Sequence, residues 1–378
     1  MKRYWPLLLL AVLTIAFFVP ELTGGRGFLY ADNLSQRIPT MTFWKQEVEH
    51  GRFPLWNPYI LGGIPFFADL SNNVLAPTNL VYLMLPVPVS LTFLAVFYVA
   101  VAAIFTYFYL RDLTGKTIPS LFSAITFAFS GTVIAAVNDI NSLQGIALIP
   151  MVVFTAHKYV KKPELHTSIV LAVALTLQFF SSHPQYSYYT WIIVALYLLI
   201  LGKGRITDRI LTTIGIFIVF LLLSAVQLLP FLELSKEVFR PETEAFTIQN
   251  QLSLVEIPRF VLANFYGSWK AGSSWGPGSQ LETGLANTEG YMGIIPIVLA
   301  IYTMLKIKSK ESRFWLIVAL TALLLSLGNQ TPLHEIARKL VPFFVKFRSP
   351  IRALCFYSFA IAVLAGLTIN KFEKTNRQ

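Results

Sequence analysis

The run VSLTFLAVFYVAVAAIFTYFYL, residues 89–110, decides the fold: it carries 22 residues and no charge. An α-helix needs roughly 17–25 apolar residues to cross a bilayer, and within lipid it is the single-segment structure that satisfies every backbone N–H and C=O. Comparable runs recur at 4–20, 117–137, 145–157, 167–182, 186–201, 210–230, 291–305, 314–328 and 353–370. Hydrophobic residues make up 55% of the 378, charged residues 13%, and the mean hydropathy is +0.62. Soluble domains carry about 25% charged residues, so the expectation is an all-α polytopic membrane protein, a bundle of about ten transmembrane helices. The opening MKRYWPLLLLAVLTIAFFVPELTGG has the basic flank of a signal peptide but no small-x-small cleavage site, and reads as a retained first helix.

The net charge of +11 is a topology signal, with no nucleic acid needed to explain it. Ten spans put both termini on one side, and that side holds 17 of the 30 Lys and Arg but 5 of the 19 Asp and Glu. Short basic loops stay in the cytoplasm, so both termini are expected there. The opposite face then carries the polar mass: loops 21–88 and 231–290 and a moderate one at 329–352. Loops of that length are functional or disordered. These are rich in aromatics, Gly and Pro, and read as folded. In RIPTMTFWKQEVEHG, Ile38, Met41, Trp44 and Val48 recur at helical spacing and Gly51 supplies a stop, so an amphipathic helix on the membrane surface is expected. Pro54, Pro58, Gly62, Gly63 and Pro65 impose turns after it. The predicted spans hold almost no ionisable residue, which argues against a proton-coupled pump or an ion channel. Cys355 is the only cysteine, so no intramolecular disulfide forms, and no His/Cys cluster has zinc-ligand spacing.

The residues that could do chemistry therefore lie outside. Asp32 in YADNLSQR is readable as a helix N-cap or as a general base beside a membrane-bound substrate. Asp69 and Asp139 are further acids on short outer segments, each either a solvated acid or part of a shared site. Glu289, just before a span, is either an interfacial acid or a site residue. His183 in the tight turn HPQ either satisfies local backbone groups or binds a sugar or phosphate. Lys346, Arg348 and Arg352 in FVKFRSPIR sit on the face that the positive-inside rule depletes of cations. They either snorkel to lipid headgroups or hold a phosphate. Trp44, Trp56, Trp269 and Trp275 suit an interfacial belt or stacking on sugar rings, and WKAGSSWGPGSQ reads as a segment covering a substrate.

In order along the chain, YADNLSQ, PLWNPYILGGIP, SSHPQYSYY, LLPFLELSKE, NFYG, EGYMGIIP, LGNQTPLH and FRSPIR resemble the bacterial YfhO-like membrane proteins, regarded as glycosyltransferases of GT-C architecture. The resemblance spans essentially the whole chain. It implies a GT-C-like transmembrane domain with two large extracytoplasmic loops, and transfer of a sugar from a polyprenyl-phosphate donor to an extracytoplasmic glycan, lipid or protein acceptor. By position it makes Asp32, with Asp69 as a second choice, the reaction-centre acid. It adds His183, Glu289, Arg348 and Arg352, with Trp56 and Asn57 of the PLWN motif, as site positions. It demands no organic cofactor and leaves a divalent metal open, although the acidic pairs that bind metal in some GT-C enzymes are not evident here. Two other classes stay in view: a flippase of a lipid-linked sugar, and a non-catalytic protein of envelope assembly.

Overall fold

A computed structural model describes residues 4–24, 27–28, 32–238, 243–263, 265–267, 275 and 290–375. Helices α1 (Trp5–Phe17) and α2 (Val19–Thr23) open the chain. Helices α3 (Ile38–Glu49) and α4 (Leu80–Met84) flank a small antiparallel hairpin, β1 (Trp56–Asn57) with β2 (Ile64–Pro65). Then come α5 (Val87–Thr114), α6 (Thr117–Ala128), α7 (Gly131–Ala135), α8 (Ile140–Lys161), α9 (Leu165–Ser181), α10 (Pro184–Leu201) and α11 (Ile206–Glu237). The last are α12 (Glu244–Thr247), α13 (Ile294–Lys306), α14 (Lys310–Ser326), α15 (Pro332–Leu340) and α16 (Leu354–Thr375).

The described residues are thus mostly helical with almost no sheet. Among the described residues, six helical stretches are long and apolar enough to cross a membrane: Val87–Thr114, Thr117–Asn138, Ile140–Lys161, Pro184–Leu201, Ile206–Glu237 and Pro350–Thr375. Three shorter ones, Trp5–Phe17, Leu165–Ser181 and Ile294–Lys306, are equally apolar in character. Several boundaries differ from expectation, two of them instructively. The run 145–157 underestimates α8, whose first turn carries Asn141, Ser142 and Gln144 and whose Asp139 caps it. The run 210–230 stops at a proline, yet α11 continues through Pro230 to Glu237.

Contacts divide the chain into two units, Met1–Ala102 with Val137–Phe239, and Ala103–Ala136 with Arg240–Gln378. In the first, α9 packs on α8 and α11, and α10 packs on α8 and α11. Close approach of α8 and α10 depends on Gly145, where a Cβ would sit 2.9 Å from the Tyr186 side chain. The amphipathic helix α3 is present and turns Met41, Phe43 and Trp44 inward, and Gly51 at φ +70° follows its end as expected. In the second unit α16 is the central helix, buried from Leu354 to Thr368 and packed against α6, α13 and α14. Small hydroxyls join it to its neighbours: Ser123 Oγ donates to Ala362 O at 2.8 Å and Thr303 Oγ1 to Leu364 O at 2.7 Å. Such small polar side chains let helices approach closely where no water competes.

Candidate functional site

Asp32 opens the site. It starts a π-helical turn, Asn33–Arg37, that runs directly into α3, and its side chain makes no capping bond. Its Oδ1 accepts a hydrogen bond from Gln36 Nε2 at 3.2 Å, and the residue is half-buried. The next residue explains where it is held. Asn33 is buried; its Nδ2 donates to Phe28 O at 3.0 Å and Val137 O at 2.9 Å, while its Oδ1 accepts from Ile140 N at 3.1 Å. One amide thereby ties the Asp32 turn to the start of α8.

Further asparagines extend this stitching. Asn141 Nδ2 donates to Ser71 O at 2.9 Å, and His183 N donates to Asn141 O at 3.4 Å. Asn73 Nδ2 reaches Phe180 O at 3.4 Å and Ser182 O at 3.3 Å, and Asn79 Nδ2 donates to Asn73 O at 2.7 Å. Arg37, only 3% exposed, binds this loop from inside: Nη1 donates to Asn72 O at 3.2 Å and Asn73 Oδ1 at 3.4 Å, and Nη2 to Asn79 Oδ1 at 3.4 Å. Its guanidinium carbon lies 5.8 Å from the centre of the Tyr82 ring. The segments bearing Asp32, Asp69, Asp139 and His183 are therefore fastened together at one end of the first unit. Neither Arg37 nor these asparagines stood out in the sequence. The available signal was their density, with Asn33, Asn72, Asn73, Asn79, Asn138 and Asn141 all in the segments between spans.

The four titratable side chains have different local duties. Asp69 accepts from Ser71 N at 2.9 Å and caps the turn Leu70–Asn72. Asp139 accepts from Asn141 N at 3.1 Å and from the Ser142 hydroxyl, capping α8. His183 Nδ1 accepts from Gln185 N at 3.3 Å, capping α10 ahead of Pro184. A cap occupies the acceptor that exposed helix amides require. Asp69 and Asp139 thus serve as caps, which the sequence did not suggest, and His183 satisfies local backbone groups, whereas Asp32, for which the local sequence suggested a cap, makes no capping bond. Asn57, almost fully buried, also does local work, its Oδ1 accepting from Tyr59 N at 3.0 Å, whereas Trp56 is largely exposed.

Below this loop layer the helices of the first unit bury uncharged polar groups. Tyr98 Oη hydrogen-bonds Thr78 at 2.8 Å and lies beside Gln144 and Ser181. Gln178 Nε2 donates to Gly145 O at 3.1 Å and Thr190 Oγ1 at 3.0 Å. Among the described residues the buried Tyr82 hydroxyl has no hydrogen-bond partner.

In the second unit, Lys346 and Arg348 are exposed and Arg352 is half-buried at the head of α16. Ile351 N donates to Asn250 O at 3.3 Å and Asn250 Nδ2 to Ser349 Oγ at 3.4 Å, so this basic turn is pinned between its cations. The Phe344 ring, two residues before Lys346, meets His334 of α15 edge-to-face at 5.3 Å. Burial holds the His334 imidazole below its ordinary 6.5, against the opposing pull of Glu335 and Glu244. Arg338 and Lys339 hold the neighbouring Glu335 carboxylate down to about 2. A histidine kept neutral by the fold lends stability in full above pH 6.5 and loses it as the pH falls below that value. Acidification to pH 5 is accordingly expected to speed amide exchange or proteolysis in 334–348, while His334→Gln removes the pH dependence. Glu289, Trp269 and most of the WKAGSSWGPGSQ segment lie outside the described residues; Trp275, which is described, meets Tyr266 edge-to-face at 5.1 Å.

Among the described residues no group of three or more His, Cys, Asp or Glu side chains comes together to hold a metal ion. Asp69, Asp139 and His183 each cap a helical turn. No protein-family profile matches the chain, and no curated protein matches it.

Proposed function

We propose that the chain is a membrane glycosyltransferase of GT-C type, working on the outer face of a bacterial inner membrane with a polyprenyl-phosphate sugar as donor. One observation carries this reading: of the four titratable groups fastened at that end of the first unit, Asp32 is the one not spent on a helix cap. Asp32 takes the proton of the acceptor hydroxyl. The acceptor oxygen then attacks the anomeric carbon, the bond from that carbon to the phosphate oxygen breaks, and polyprenyl phosphate leaves with the electron pair. A single displacement inverts the anomeric centre. The motif order along the chain supports the substrate class, and the near absence of charge within the helices supports chemistry at the face rather than transport of an ion. Arg348 and Arg352 are the cations proposed to bind the lipid phosphate, since guanidinium groups offer it paired donors.

Replacing both with Gln removes charge-assisted bonds worth about 1.5–3 kcal/mol each. The double variant is expected to weaken binding of polyprenyl phosphate by at least about tenfold, as one bond's loss already requires, in a detergent-micelle binding assay. Unchanged affinity would make the pair headgroup anchors only.

A further inference from the structure

Between Arg52 and Asp69 the chain runs FPLWNPYILGGIPFFA, sixteen residues without a charge. The β1–β2 hairpin forms here, with Trp56 opposite Pro65 and Asn57 opposite Ile64. Its tip is tightly built. Gly63 N donates to Ile60 O at 2.8 Å, and Leu61, Gly62 and Gly63 adopt φ of +52°, +79° and +116°. The Trp56 indole lies flat enough against Gly63 that a Cβ there would come within 2.6 Å of it. A leucine in the left-handed region costs roughly 1–2 kcal/mol, so this residue is not chosen for ease of turning.

The tip is nevertheless laid open. Leu61 is 92% exposed, Tyr59 82%, Leu55 61% and Trp56 54%. An apolar cluster of this kind marks a contact surface, and the fold indicates which. Phe66 N and Phe67 N donate to Leu55 O at the hairpin base, and the Phe66 ring meets Phe43 of α3 edge-to-face at 4.8 Å. Phe67 O in turn accepts from Gln227 Nε2 of α11 at 3.5 Å. Around Gln227, α11 exposes Leu222, Val226 and Leu229, and it is the least covered of the six long apolar helices. The base of the hairpin is thus tied to the buried side of a helix that is fit to cross a bilayer and is apolar and bare on its other side. Trp and Tyr are the side chains that prefer the headgroup boundary, and the missing charges remove the main cost of entering it.

We propose that residues 53–67 form an interfacial anchor whose tip inserts into the lipid of the outer leaflet. The proposal rests on α11 spanning the membrane and is independent of any transferase activity. It holds the Asp32 turn, through α3, at a set height above the hydrocarbon.

The native cysteine, Cys355, is buried, so single probe sites are easily introduced. Leu61→Cys and Tyr59→Cys carry an environment-sensitive fluorophore, with Ser71→Cys as an exposed control outside the hairpin. Cysteine at 61 meets the same backbone cost as leucine, and Tyr59→Cys gives up one edge-to-face contact with Phe43 at the surface, so both variants are expected to keep the fold. In proteoliposomes, probes at 59 and 61 should be quenched severalfold more by lipids spin-labelled near the headgroup than by aqueous iodide, and the probe at 71 should show the reverse. Iodide quenching at 59 and 61 would overturn the proposal. So would protection from both quenchers, which would mean that protein covers the tip.

Discussion

Asp32→Asn is expected to lower glycosyl transfer by about 10²–10⁴-fold, the usual contribution of a positioned base, with no loss of thermal stability. Asparagine keeps the size of the side chain and can still accept from Gln36 through its Oδ1. The proton acceptor is lost while this contact is kept. The parallel variants Asp69→Asn and Asp139→Asn make the experiment discriminating. Both carboxylates cap helical turns, and asparagine caps about as well as aspartate, so both variants should retain most activity. Asp69→Ala and Asp139→Ala, by contrast, should each cost about 0.5–2 kcal/mol as caps are removed. Equal loss of activity in all three Asn variants, measured on protein of unchanged melting temperature, would mean that the three acids act together.

The second large effect is on stability. Arg37→Met is expected to destabilise the first unit by about 3 kcal/mol or more, because it leaves the acceptors of Asn72, Asn73 and Asn79 buried without a donor, at about 1–3 kcal/mol each. A buried guanidinium carries its own desolvation cost, which methionine relieves. Three abandoned acceptors outweigh that relief. Arg37→Lys keeps the charge but cannot fork to three oxygens, and should fall between wild type and Met. Thermal unfolding in detergent, read together with proteolysis of 70–80, checks the order. A melting temperature unchanged in Arg37→Met would show that the charge costs as much to bury as its bonds return.

The helices were legible because apolar runs announce themselves; the site was not, because its residues do two jobs with one vocabulary. Residues 89–110 could be read directly, since nothing but helix suits 22 uncharged residues in lipid. The first turn of α8 was missed because Asn141, Ser142 and Gln144 lower hydropathy, although protein rather than water surrounds Ser142 and Gln144. Pro230 suggested an end that α11 does not take. At the site, Asp32, Asp69 and Asp139 look alike in sequence, each an acid before a short polar stretch. Only the partners of their oxygens separate a cap from a candidate base. Asn33 and Arg37 were passed over because polar residues in a loop suggest solvent, whereas here both are buried and bind loop segments together.

The most direct test is turnover by the purified protein in proteoliposomes supplied with polyprenyl-phosphate hexoses and an outer-face acceptor extract. The account predicts acceptor-dependent release of polyprenyl phosphate, with an inverted linkage in the product and loss of both in Asp32→Asn. Intact lipid-linked sugar moving between leaflets without release of polyprenyl phosphate would contradict it.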